Sequence, residues 1–332
     1  MFNLLFLISL IITSTLLSVT SHSWMGVWMG LEMNLMGFIP MIAMNNKNNM
    51  FMSEAMISYF LIQTLTSINL LFFIIMFKLN LLNSWLTELM MNFSLLMKMG
   101  AAPFHFWFPK IMSGLNWMNC LILSTWQKIT PMVALSFCMN KTIIIMSIIL
   151  CALIGAWGGI NQTSIRSLMS FSSISHLSWL IMSIMISMNM WSLYFMIYLI
   201  LNSLIMLMFS YNNFFYLNQM FNNKINYLIY FNFLMNLLSL GGLPPFLGFL
   251  PKWLIILFIS NKMKFVILIM LISTLMTLSF YINIIISSMI INYSKIKWYN
   301  NKMNMKNNFM IFLLTTFSMF SLIFISLMNF SF

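Results

Sequence analysis

Five ionisable side chains, Glu32, Lys98, Lys128, His176 and Lys252, lie in long hydrophobic stretches that carry almost no other charged residue. A lysine at the centre of a membrane helix costs about 2.5 to 3.5 kcal/mol on insertion scales, so it is tolerated chiefly in a cavity or beside a counter-charge. Lys98 precedes a backbone break at Gly100 and Pro103, and Lys252 follows a second break at Gly242, Pro244 and Pro245. Lys128 lies mid-segment in Ser124-Thr125-Trp126-Gln127-Lys128-Ile129-Thr130-Pro131. Glu32, within Gly30-Leu31-Glu32-Met33-Asn34, is the candidate counter-charge, because the other acids, Glu54 and Glu88, fall near predicted helix ends. Burial disfavours the charged form of either residue type and an opposite charge favours it, so a small change in pairing loads or unloads a proton near neutral pH. A row of such sites with water between them can pass protons through hydrocarbon without a permanent charge.

His176 falls amid Ser170, Ser172, Ser173, Ser175 and Ser178, and histidine titrates closest to neutrality, so it is the candidate relay between the lysines. Each residue also has a plainer reading. The lysines can snorkel to the interface on their four-carbon stems, Lys252 most readily because Trp253 beside it is an interfacial residue type. Glu32 can be a structural pair for a lysine, and His176 a hydrogen-bonded packing residue. His105, beside the first break, reads as packing, and His22 as a loop residue in solvent.

The elements that must position these groups are membrane helices. With 62% hydrophobic and 5% charged residues, the sequence lacks the polar surface that a soluble chain of 332 residues needs. Apolar runs of about 20 residues predict helices at roughly 3–21, 24–44, 55–77, 86–108, 114–139, 142–160, 167–188, 190–211, 227–260, 265–292 and 309–331. The first lacks a basic leader and a small-residue cleavage site, and reads as a retained helix. Gly100, Pro103, Phe104, Pro109 and Lys110 recur 142 residues later as Gly242, Pro245, Phe246, Pro251 and Lys252. That offset predicts an all-α polytopic membrane protein of about eleven spans in a single transmembrane domain. It comprises a five-helix repeat over 1–141, a second over 142–292, and a loop and final helix over 293–332. An odd number of helices per repeat inverts the second copy, the plan of many secondary transporters, and places a broken helix in each half.

Loop charges orient the chain. Lys47, Lys110, Arg166, Lys224, Lys295, Lys297, Lys302 and Lys306 fall on the N-terminal side, against Lys78, Lys141, Lys262 and Lys264 on the other, which predicts an N-terminus on the negative side. The net charge of +12 comes from lysines scattered singly between apolar runs, so no basic face for nucleic acid is predicted. Cys120, Cys138 and Cys151 form no CxxC pair and read as small core residues, while three histidines on separate segments do not make a haem site. No GxGxxG, Walker loop or HExxH is present, so nucleotide and metal chemistry are not expected on this chain. The 39 methionines and 33 phenylalanines, with one arginine and no aspartate, point to an A+T-rich mitochondrial genome.

The segments Gly30-Leu31-Glu32-Met33-Asn34, Lys98 to Trp107, Thr125-Trp126-Gln127-Lys128, Ser172 to His176, and Gly241 to Trp253 resemble, in order, the antiporter-like chain 2 subunits of mitochondrial NADH:ubiquinone oxidoreductase, respiratory complex I. The resemblance implies a multi-pass subunit of the inner-membrane arm that translocates or relays protons while electrons pass from NADH to ubiquinone elsewhere in the complex. Animal members of the family have eleven helices, three fewer than bacterial ones. It implies Glu32 and Lys98 as an interacting pair, Lys128 as the central site, His176 on the connecting axis, and Lys252 as the terminal site toward a neighbouring antiporter-like subunit. FMN, iron–sulfur clusters and ubiquinone are then expected on other subunits, none on this chain, with phospholipid around it. Lys110 departs from many relatives, which carry an acid there, so it takes no role. Two competing expectations are a freestanding cation/proton antiporter and a membrane-arm subunit that serves only as structure.

Overall fold

A computed structural model describes residues 2–44, 50–80, 83–222 and 227–293. The predicted final span, 309–331, lies outside them, as do Lys47, Lys224, Lys295, Lys297, Lys302 and Lys306. The described residues form fourteen helices: α1 (Phe2–Thr20), α2 (Trp24–Met44), α3 (Met50–Lys78), α4 (Ser84–Met99), α5 (Trp107–Gly114), α6 (Trp117–Ser124), α7 (Trp126–Phe137), α8 (Lys141–Ile160), α9 (Ile165–Ile186), α10 (Met188–Asn212), α11 (Leu217–Asn222), α12 (Tyr227–Gly241), α13 (Phe249–Ile259) and α14 (Lys264–Tyr293). Six of these, α2, α3, α8, α9, α10 and the 264–287 part of α14, are each long and apolar enough to cross a bilayer. Outward faces carry large apolar side chains such as Phe6, Met36, Ile68, Trp157 and Leu275, as expected where the surroundings are lipid tails.

Three predicted spans are not continuous helices. The run 86–108 is α4 followed by irregular backbone and the start of α5; 114–139 is α6 and α7; 227–260 contains α12 and α13. Hydropathy alone could not separate them, because the interrupting residues are themselves apolar or small. At the α6–α7 junction Thr125 Oγ1 donates to the Leu121 carbonyl at 2.6 Å, and the Thr125 amide donates to the same oxygen at 3.1 Å. A threonine hydroxyl that competes for the carbonyl of the preceding turn bends helices. Pro131, inside α7, removes a further backbone donor.

The chain divides into two compact units, Met1–Cys151 and Ala152–Phe332. In the first, α1 packs on α2, α2 on α3, and α3 on α4 and α5, while α7 rests against α2 and α4. In the second, α9 packs against α10, α13 and α14. Helix α9 is the most enclosed of the long helices. Its serines make that possible by donating to their own helix: Ser170, Ser172, Ser173, Ser175 and Ser178 each bond the carbonyl three residues back. Small residues also bring α8 close, for a Cβ at Gly155 would lie 2.5 Å from the Ser175 amide nitrogen. Gly155→Ala is therefore expected to destabilise the assembled protein by about 1 to 3 kcal/mol, the cost of overpacking a close-packed interface. A lowered unfolding temperature in detergent checks this; an unchanged midpoint refutes the close approach.

Candidate functional site

In the first unit, the site is built where α4 ends. Gly100 takes φ +70 and closes a Schellman turn, its amide bonding Met97 O at 3.1 Å and the Ala101 amide bonding Leu96 O at 3.0 Å. Lys98 sits in the last turn of α4, where the helix dipole favours a cation, and it is only 7% exposed. Trp107 Nε1, at the start of α5, is a second donor to the Met97 carbonyl, at 3.1 Å. The Ala102 amide, within the break, donates to Cys151 Sγ at 3.1 Å. Broken backbone at membrane depth needs protein partners, and an indole and a thiol supply them here.

Lys128 stands on α7 and is 1% exposed. Its ammonium lies 5.0 Å from the centroid of Phe108, the second residue of α5, so the restarted helix lays an aromatic face against the cation. Cys151 is within electrostatic reach of it. Between Lys98 and Lys128 lies a cavity of about 20 Å³, whose polar lining includes Asn34, Gln63, Gln127 and Thr130. Gln127 Nε2 donates to Asn34 Oδ1 at 3.0 Å, and Gln63 Nε2 to the Lys98 carbonyl at 3.4 Å. Thr130 Oγ1 is buried and bonds no group among the described residues. One water needs about 10 to 15 Å³ and two or more polar partners, so this chamber is suited to hold one between the lysines. Glu32, half-buried on α2, is the acid that acts electrostatically on Lys98.

The second unit repeats the break with different chemistry. α12 stops at Gly241, Gly242 takes φ +84, and the Leu243 amide bonds Leu238 O at 3.4 Å while that of Gly242 bonds Ser239 O at 3.1 Å. α13 then restarts at Phe249, at the same offset by which α5 starts at Trp107. The last carbonyls of α12 are taken by Lys252, whose Nζ donates to Gly241 O at 3.0 Å and Leu240 O at 3.4 Å. Lys252 is 7% exposed, so it is turned inward and does not snorkel. Its counterpart Lys110 is exposed. A lysine held on carbonyls can release one proton and keep its acceptors, because the neutral amine retains two N–H donors.

His176 faces aromatic groups on α10, Tyr194 and Tyr198. Its Nδ1 is 2.9 Å from Tyr194 Oη, and its ring lies 5.2 Å from that of Tyr198. His105 is buried with Nδ1 3.2 Å from Pro103 O, and His22 is exposed, as their sequence positions suggest. Cys120, Cys138 and Cys151 are free and buried. Among the described residues, no three His, Cys, Asp or Glu side chains gather to hold a metal ion.

Several lining residues were not singled out by the sequence reading. Asn34 and Gln127 stand inside motifs read for Glu32 and Lys128, and their amides meet each other. Tyr59 and Gln63 are one helical turn apart on α3, a polar pair in an apolar span whose spacing signals one inward face. Tyr194, Tyr198 and Asn202 repeat that spacing on α10, and all three are buried.

With this geometry in place, comparison with known proteins identifies the class. Residues 21–279 match the transmembrane family described as NADH:quinone oxidoreductase/Mrp antiporter. The chain is 48% identical to NADH-ubiquinone oxidoreductase chain 2 of Anopheles gambiae over 316 residues, covering 91% of this chain and 92% of that one. Against the chain of the same name from Locusta migratoria it is 45% identical, covering 91% and 90%. Among solved structures, a chain of respiratory complex I from Thermus thermophilus superposes with TM-score 0.83 at 18% identity, covering 97% of this chain and 79% of that chain. A chain of the Mrp complex from Dietzia sp. gives TM-score 0.74 at 14% identity, covering 84% and 59%. At those identities the two structural likenesses establish the fold. The chain belongs to the NADH:quinone oxidoreductase/Mrp antiporter family of polytopic membrane subunits, among its NADH-ubiquinone oxidoreductase chain 2 members.

Proposed function

We propose that this chain is a proton-carrying membrane-arm subunit of NADH:ubiquinone oxidoreductase in the mitochondrial inner membrane. Lys128 is the central site, Glu32 and Lys98 are an interacting pair, His176 is on the connecting axis, and Lys252 is the terminal site toward a neighbouring antiporter-like subunit. The observation that carries the proposal is the cavity between Lys98 and Lys128, where two buried lysines on different helices share a polar chamber sized for water. Electron transfer from NADH to ubiquinone, with its FMN and iron–sulfur clusters, belongs to other subunits; this chain contributes charge movement.

The proposal includes an architecture: eleven spans, arranged as two inverted five-helix repeats over 1–141 and 142–292, with the loop and last helix over 293–332. The matching glycine turns at Gly100 and Gly242 and the matching restarts at Trp107 and Phe249 support it. It places the N-terminus in the matrix and the C-terminus in the intermembrane space, from the loop charges. A protease-accessible tag at the N-terminus, cut only when the matrix face is opened, tests that orientation.

The likeness to an Mrp complex favours one second reading, a cation/proton antiporter that works without electron transfer. The whole complex reconstituted in vesicles separates the two. The proposal expects proton uptake that starts with NADH and stops when electron transfer is inhibited. Proton flux driven by a sodium or potassium gradient, unchanged by that inhibition, would overturn it.

A further inference from the structure

We propose that Tyr194 is a positioning residue for His176, fixing which ring nitrogen carries the exchangeable proton. This rests on the reading of His176 as part of the proton path. Tyr194 is fully enclosed on α10, and its Oη lies 2.9 Å from His176 Nδ1 on α9. Nδ1 is the one hydrogen-bond partner that the Tyr194 hydroxyl has among the described residues. A buried O–H without an acceptor is costly, whereas an oxygen lone pair left unused costs less. The phenol therefore donates, Nδ1 accepts, and neutral His176 holds its proton on Nε2. Tyr198 flanks the ring at 5.2 Å, and Asn202 Nδ2 donates to the Tyr198 hydroxyl at 3.3 Å, so the face of α10 that meets His176 is polar and fixed over two turns. His176 then offers its proton from one nitrogen and in one direction. A packing aromatic at 194 would supply the ring contact without that selection.

Tyr194→Phe keeps the ring and removes the hydroxyl. The test uses the whole complex in vesicles, with Tyr194→Phe, His176→Gln and the double variant, and two readouts. One is proton translocation per NADH oxidised. The other is the infrared difference spectrum of the complex with isotope-labelled histidine, which distinguishes the two imidazole tautomers. The expected result for Tyr194→Phe is loss of the single-tautomer signature of His176 and a fall in translocation of about three- to tenfold, the scale of one orienting hydrogen bond. The double variant is expected to be no worse than His176→Gln alone, because residues that act through one another are non-additive. An unchanged tautomer signature, or effects that add in full, would overturn the proposal. If His176→Gln pumps normally, the reading of His176 as a carrier fails, and the infrared signature still decides whether Tyr194 sets its tautomer.

Discussion

Replacing Lys128 with methionine is expected to leave the complex assembled and to lower the rate of NADH-driven proton translocation by about a hundredfold, the low end of what a single acid–base group contributes. The expectation of normal assembly has a physical basis. Lys128 is 1% exposed and is held by the Phe108 ring and its surrounding helices, so an unbranched apolar side chain of similar length fills the same space. Taking a charge out of water is costly, so replacing a buried ammonium with an apolar group of similar length removes a desolvation penalty. Lys128→Arg sharpens the test, because a guanidinium keeps the charge and does not release its proton in proteins. If the lysine carries protons, arginine fails with methionine. If the lysine serves only as a fixed positive charge, arginine restores pumping where methionine does not; if methionine itself pumps normally, the chain is chiefly scaffold. Proton uptake in vesicles, measured beside NADH oxidation and the amount of assembled complex, gives all three quantities.

Legibility in the sequence followed burial cost. A lysine or glutamate in an apolar run is expensive, so Lys98, Lys128 and Lys252 declared themselves, and all three are buried in the structure. The two glycine–proline breaks were also readable, because glycine and proline cluster there at one fixed offset, and together they leave backbone groups without helical partners. The interruption at Thr125 was not, since threonine is common in membrane helices and its hydroxyl competes with the backbone only in the right rotamer. Around His176 the limit was different. Ser175 and Ser178 are the serines closest to it in sequence, yet both donate to carbonyls of their own helix, and the hydrogen-bond partner of Nδ1 is a tyrosine on α10. A list of residues near one another in sequence cannot show where a hydroxyl hydrogen points. The repeat had a similar limit: it equates Lys110 with Lys252, but the first break is satisfied by Trp107 and Cys151, which leaves Lys110 on the surface.

At the second break, a single methyl group would press on the lysine itself. Gly242→Ala is expected to cut proton translocation by about tenfold, because it acts on the ammonium that the general acid–base step would use. The φ of +84 costs an L-residue about 1 to 2 kcal/mol. The added Cβ would also stand 2.9 Å from Lys252 Nζ and 3.1 Å from its Cδ. The flexible end of the lysine yields more easily than the backbone, so the strain is relieved by moving Nζ off the Gly241 carbonyl. The adjacent glycine supplies the control. A Cβ at Gly241 would meet Leu278 and Tyr281 at 3.6 Å, an ordinary contact, and Gly241 is not among the residues with positive φ. Gly241→Ala should therefore pump like the parent, while Gly242→Ala assembles with a slightly lower unfolding temperature and shows the reduced translocation. Equal behaviour of the two variants would mean that the carbonyl cap does not position Lys252 for its role. Loss of pumping in Gly242→Ala alone would tie the left-handed turn to the proton path, and would explain why a helix is broken where a lysine must be held.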